Sequence, residues 1–184
     1  TSTVIAPHLY KSLNYDTLKD LAPVTQVAQM PFVLVVNSKV PVNNVKEFLA
    51  YAKANPGKLN YSTSGNGAGS HLAGEMFNSA TGAAMVHVPY KGAGPALNAV
   101  VAGEVEVAFI PIVNALPLVK EGRLKAMAVT TIGRSLAAKD IPTLAEAGLS
   151  GYDINTWFGM CVAANTPPQI IEQLYKETAR AIKQ

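Results

Sequence analysis

Cysteine occurs once in this chain, at Cys161, which excludes an internal disulfide and a cysteine-based metal site. That residue lies in the apolar run Phe158-Gly159-Met160-Cys161-Val162-Ala163 and reads as a small core side chain. Charged residues are scarce as well, at 15%, and the 15 basic and 12 acidic side chains are scattered, giving a net charge of +3. Without a basic cluster, neither nucleic acid nor a membrane surface is a supported partner. No apolar run approaches the ~18 residues that a membrane helix needs. Hydrophobic residues make up 49% of the chain, so disorder is excluded and a sizeable core is expected. A length of 184 residues suits one compact α/β domain, or a domain with pieces of a second.

An initiator Met and a leader are also missing, the chain beginning Thr1-Ser2-Thr3. At the other end, Thr166-Pro167-Pro168 opens a helix with Ile171, Leu174, Tyr175, Thr178 and Ile182 along one side, running to Gln184 without a Gly or Pro stop. The expectation is a piece of a longer protein, cut at both ends, for which a missing leader says nothing about export.

What is present is an alternation of strand and helix signals. Phe32–Val36 reads as a strand, and Asn44 with Glu47 forms a capping box ahead of a helix whose apolar face is Val45, Phe48, Leu49 and Ala52. Lys58–Ser62 is the next strand, followed by a Gly-rich loop. A helix from Ser70 then carries Leu72, Ala73, Met76 and Ala80 on one side. Strands at 85–88, 105–110 and 124–129 follow, separated by helices at 95–102 and from Asn114 to Gly122. A short helix over Pro142–Ala147 and a late strand over Thr156–Ala163, opening with Trp157 and Phe158 as core residues, complete the reading. A strand about every 20 residues with helices between predicts an α/β fold, a largely parallel sheet with flanking helices.

In open α/β sheets, ligands bind outside the carboxyl ends of the strands. The loop Thr63-Ser64-Gly65-Asn66-Gly67-Ala68-Gly69-Ser70 leads straight into a helix, whose free N–H groups and dipole suit an anion. Ser62, Thr63, Ser64 and Ser70 add hydroxyl donors, and the glycines permit close backbone approach. The same glycines equally serve a plain strand-to-helix turn. In the next loop, Lys91 can pair with an acidic ligand and Tyr90 can wall a pocket, although a surface Lys and a half-buried Tyr read just as well. A P-loop lacks its Lys here, and a dinucleotide fingerprint lacks its acid, because residues 84–95 contain no Asp or Glu. His71 and Glu75 stand at i, i+4, but two ligands make no metal site. With no nucleophile elbow and no acid/base pair, catalysis finds no support and no cofactor is called for.

Taken in order, several strings resemble the Bug-type solute-binding receptors of the tripartite tricarboxylate transporter family. They are Pro-Gly-Lys-Leu-Asn-Tyr-Ser (56–62), Gly-Asn-Gly (65–67) and Ser-His-Leu-Ala-Gly-Glu-Met-Phe (70–77), then Val-His-Val-Pro-Tyr-Lys-Gly (86–92) and Pro-Ala-Leu (95–97). Leu-Lys-Ala-Met-Ala-Val-Thr (124–130), Ile-Pro-Thr-Leu-Ala-Glu-Ala-Gly (141–148) and Trp-Phe-Gly (157–159) complete the series. The resemblance implies one lobe of a two-lobed, type II periplasmic binding protein, plus remnants of the other lobe. Residues 24–163 would be the crossing strands and second lobe, the lobe proper running from Met30 to Thr156, and residues 1–23 and 164–184 the remnants. It implies a periplasmic receptor that hands a small carboxylate to a membrane permease, with no enzymatic activity. Implied ligand contacts are Ser62, Thr63, Ser64, Gly65, Asn66, Gly67, Ser70, His71, Tyr90, Lys91, Ile110 and Trp157. Ile110-Pro111 stands where a polar residue is usual, which would favour a less polar acid. The Pro-Ala-Gly-Gly-like loop of the family has no counterpart, so weak or no binding by this chain alone is expected, and an exposed apolar face could drive self-association. A nucleotide- or phosphate-handling α/β enzyme domain, or a sensory module that kept the fold and lost transport, are the alternatives.

Overall fold

The computed structural model describes residues 2–183, so Thr1 and Gln184, the expected end of the last helix, lie outside the described residues. Two compact units are present: Met30–Thr156, and a second made of the chain up to Gln29 together with the chain from Trp157 onward.

The larger unit is built on strands β1 (Leu21–Asn37, from Met30 on), β2 (Asn60–Thr63), β3 (Val86–Pro89), β4 (Val107–Pro111) and β5 (Leu124–Val129), in the order β3-β2-β4-β1-β5. β2 pairs in parallel with β3 and β4, whereas β1 runs antiparallel to β4 and β5. Four strands therefore share one direction with β1 reversed among them, and the carboxyl ends of β2, β3 and β4 lie on one edge. Helices α2 (Val45–Ala54), α3 (Gly69–Thr81), α4 (Ala93–Ala102) and α5 (Ile112–Lys120) connect them.

Strict alternation sends β-strand side chains to opposite faces. Phe32, Leu34 and Val36 of β1, Tyr61 of β2 and Val107 and Phe109 of β4 join a core closed by Phe48 of α2 and Phe77 of α3. Val33 and Val35, with Ala108 and Ile110 of β4, face the other way and pack with Ala96, Ala99 and Val100 of α4 and Ile112 and Ala115 of α5. Both faces of β1 are dry, so its residues 32–36 form a continuous apolar run. Full burial of a ring such as Phe77 contributes about 2–3 kcal/mol.

Helix α2 begins as its sequence dictates: Asn44 Oδ1 accepts from the Glu47 amide at 2.9 Å, and Glu47 Oε2 accepts from the Asn43 amide at 2.7 Å. Helix α3 buries Ser70, Ala73, Gly74, Phe77 and Thr81, one residue out of step with the expected Leu72-Ala73-Met76-Ala80 stripe. Phe77 and the close approach at Gly74 set its rotation, leaving Leu72 on the outer side at 42% exposure. Over Pro142–Ala147 there is no helix. Thr143 and Glu146 make a capping box (Glu146 N–H to Thr143 Oγ1 2.9 Å), but Gly148 at φ 105° ends it after a single turn.

In the smaller unit, α1 spans Ser2–Leu9, β6 (Asn155–Ala163, from Trp157 on) pairs with the first part of β1, and α6 spans Pro168–Ile182. The stretch of β1 before Phe32 is longer than its composition predicts, since Pro23, Pro31 and several polar residues read against a strand. The expectation that Cys161 and Phe158 are core residues is corrected. Cys161 is exposed and Phe158 is 53% exposed, because β6 has only β1 as a strand partner among the described residues. No helix among the described residues is long and apolar enough to cross a membrane.

Candidate functional site

The Gly-rich segment leaves β2 at Thr63 and enters α3 at Gly69, on the carboxyl edge of the parallel strands. Two of its residues need glycine: φ is 128° at Gly65 and 74° at Gly67. A Cβ at Gly65 would also stand 3.2 Å from the Tyr90 carbonyl oxygen. Here the second loop closes against the first, with the Tyr90 amide donating to Thr63 O at 3.0 Å and the Gly92 amide to Ser64 O at 3.2 Å. Helix α4 starts immediately after, at Ala93.

Internal hydrogen bonds decide which donors remain. The Ser64 amide donates to Ser70 Oγ (3.1 Å), the Gly65 amide to Thr63 Oγ1 (3.3 Å), the Gly67 amide to His71 Nδ1 (3.2 Å) and the Ala68 amide to Gly65 O (3.2 Å). Among the described residues the amides of Asn66, Gly69 and Ser70, and those of Ala93 and Gly94 at the start of α4, have no protein acceptor. Ser64 and Ser70 share one hydroxyl–hydroxyl contact of 3.1 Å, so one O–H is left over. Two helix starts, each with unused N–H groups, thus flank one patch with the partial positive charge of both dipoles.

The other residues singled out from the sequence divide clearly. Ser62 is fully buried and its hydroxyl donates to Ala96 O of α4 at 2.9 Å, tying strand to helix. Thr63 is equally buried and bonded to His87. Tyr90 is partly buried against the α4–α5 core, and Lys91 is exposed with no ion-pair partner among the described residues. Ile110 is corrected: alternation along β4 puts it on the Ala108 face, where it is 1% exposed within the core. Trp157 belongs to β6 in the smaller unit, where with Leu21, Val24, Phe158 and Met160 it lines a groove of about 700 Å³.

Behind the turn stands a group that the linear sequence does not bring together. The rings of His71 and His87 stack with centroids 3.9 Å apart and planes at 14°. His87 Nε2 lies 2.6 Å from Thr63 Oγ1, and His71 Nε2 lies 4.0 Å from Glu75 Oε1. Tyr61 donates its hydroxyl to Glu75 Oε1 at 2.5 Å, and its ring is 5.2 Å from that of His87. Burial first, then the neighbouring His71, hold the His87 imidazole down at about 4 against the attraction of Glu75. Burial, then the Glu75 carboxylate, push the Tyr61 phenol well above its usual range, so it stays a donor. Tyr61 and His87 are partners in the parallel β2–β3 register, which is the signal that would have joined residues so far apart in sequence. Among the described residues no three His, Cys, Asp or Glu side chains are placed to hold a metal.

The chain is similar in sequence and fold to known proteins. The chain is 35% identical over 183 residues to a UPF0065 protein of Bordetella pertussis, covering 98% of this chain and 56% of that protein. An R. palustris protein solved with adipate superimposes with a TM-score of 0.88 at 34% identity, over 92% of this chain and 57% of that one. MatC of Rhodopseudomonas palustris, solved with bound malate, gives a TM-score of 0.88 at 32% identity, over 99% of this chain and 61% of that one. The chain thus spans a little over half the length of these relatives. The family described as the tripartite tricarboxylate transporter family receptor matches residues 1–184, and with identities above 30% across nearly the whole chain, the chain belongs to that family of solute-binding proteins.

Proposed function

We propose that this chain forms the carboxylate-binding part of a periplasmic receptor that captures a small organic acid and passes it to a membrane permease. One observation carries the reading. The turn into α3 offers unused amides and a spare hydroxyl without a fixed, paired cation, beside the start of α4. That donor set accepts a carboxylate by hydrogen bonding alone. The adipate and malate present in two similar structures support the same ligand class.

In this reading Ser64, Asn66, Gly69 and Ser70 touch the carboxylate, while Ser62, Thr63 and His71 hold the turn from behind. Gly65 and Gly67 shape it, Tyr90 walls it, and Lys91 offers charge to a second acidic group. Residues 24–163 then correspond to one lobe with its crossing strands, and residues 1–23 and 164–184 to parts of another. Binding needs no cofactor and no metal.

The test is calorimetric titration of the complete gene product with mono-, di- and tricarboxylates and with a nucleotide. Saturable binding of a carboxylate supports the reading. Binding of the nucleotide alone overturns it.

A further inference from the structure

We propose that His71 and His87 are paired positioning residues for the carboxylate turn, and that the turn keeps its binding shape only while both imidazoles are neutral. This rests on the ligand site proposed above and adds a control over it.

The geometry assigns the protons. Gly67 N–H points at His71 Nδ1, 3.2 Å away, so that nitrogen must carry a lone pair. The proton of neutral His71 is therefore on Nε2, on the side of Glu75. Thr63 Oγ1 accepts the Gly65 amide at 3.3 Å and lies 2.6 Å from His87 Nε2 and 3.4 Å from Gly65 O; we take its single proton to point at the nearer, His87 Nε2, with the His87 proton on Nδ1. One imidazole thus takes the Gly67 donor directly, and the other takes the Gly65 donor through Thr63. These are the two glycines at positive φ, on either side of Asn66. Stacked at 3.9 Å, the rings cannot both be cationic without strong repulsion.

Protonation at His71 Nδ1 puts N–H against N–H and ejects the Gly67 amide. Protonation at His87 Nε2 makes that nitrogen a donor to Thr63 Oγ1, whose own proton must then rotate to the more distant Gly65 O. The first change frees the Gly67 amide and the second reverses the Thr63–His87 contact beside Gly65, at the two glycines that flank Asn66. The titratable groups around the pair are Glu75 of α3, which favours the cation, and Tyr61 of β2, which is a neutral donor occupied with Glu75. Burial of His87 opposes protonation, so its imidazole is neutral at pH 7 and takes up a proton only near 4.

The conservative replacements are His71→Asn, whose Oδ1 stands in for Nδ1, and His87→Gln, whose Oε1 stands in for Nε2; neither takes up a proton. Using the complete gene product, adipate and malate affinities are measured between about pH 7.5 and about pH 3.5, with the backbone amide signals of Gly65 and Gly67 followed by NMR without ligand. The wild type is expected to lose affinity more steeply on acidification than the Asn/Gln double variant, in which the ligand's own protonation is the same. His71→Leu, which removes the acceptor, is expected to lose at least about tenfold at neutral pH. The Gly67 amide signal should move with the His71 ring in the wild type and stay still in the double variant. Parallel pH profiles for wild type and double variant, or a Gly67 amide indifferent to His71, overturn the proposal. If no acid binds at all, the carboxylate reading fails, yet the amide signals still decide whether the histidines brace the turn.

Discussion

A methyl group added at Gly74 tests the packing that positions the site. Its Cβ would stand 2.1 Å from Tyr61 Cε2, 2.6 Å from Cζ and 2.8 Å from Cδ2. Carbon atoms at rest are about 3.5–4.0 Å apart, so helix or ring must shift by more than about 1 Å. The ring has nowhere to go, since it is fully buried with Phe109 edge-on at 6.2 Å and His87 stacked at 5.2 Å. Overpacking of this kind costs about 1–3 kcal/mol. Displacing the Tyr61 hydroxyl from Glu75 adds about 1 kcal/mol. Replacing Gly by Ala inside a helix returns about 1 kcal/mol. Gly74→Ala is therefore expected to destabilise by about 2 kcal/mol, lowering Tm by roughly 4–8 °C. Urea denaturation followed by circular dichroism measures it, with Tyr61→Ala as control: in that background Gly74→Ala should cost nothing. A variant as stable as the wild type, or more so, would mean that the helix does not rest on the ring.

Gly67→Val places a β-branched residue at φ 74°, which costs about 1–2 kcal/mol locally; calorimetry should find carboxylate affinity down by about tenfold or more, with the far-ultraviolet spectrum unchanged. Asn44→Ala removes the acceptor for the Glu47 amide and should lower stability by about 1 kcal/mol, seen as an earlier urea midpoint. On acidification the unfolded chain protonates His87 near its ordinary value of about 6.5, whereas the folded chain resists until about 4. Stability should therefore decline as pH falls between those values, and His87→Gln should flatten that part of the curve in denaturation series at successive pH values.

The elements that carry the turn were readable because their signals are local. The capping box of Asn44 and Glu47 formed as its spacing predicts, and the strand–glycine–helix order around residues 60–81 is the observed one. The same capping signal at Thr143 and Glu146 misled, since a box satisfies two amides without obliging the chain to continue, and Gly148 ends it. Ile110 falls at the end of the strand expected over 105–110, next to the ligand edge, yet β4 runs on to Pro111 and alternation carries the Ile110 side chain inward. The pairing of His71 with His87 left no periodic trace. It depends on which residues of β2 and β3 fall side by side, a register that long-range pairing and core packing determine together. Cys161 and Phe158 show the complementary limit, because an apolar run specifies burial only if something covers it.

The missing side chain at Gly74 has a geometric consequence beyond its energy. A ring seated against a bare backbone works as a detent: sliding α3 along its axis would carry the gap at Gly74 off Tyr61 and bring side chains one turn away, such as Ser70 or Phe77, towards the ring. Ser70 lies about one turn ahead of that notch, at a rise of about 1.5 Å per residue. The spacing between the end of the strand and the first free amides is thereby indexed by an aromatic ring as well as by the loop that spans it.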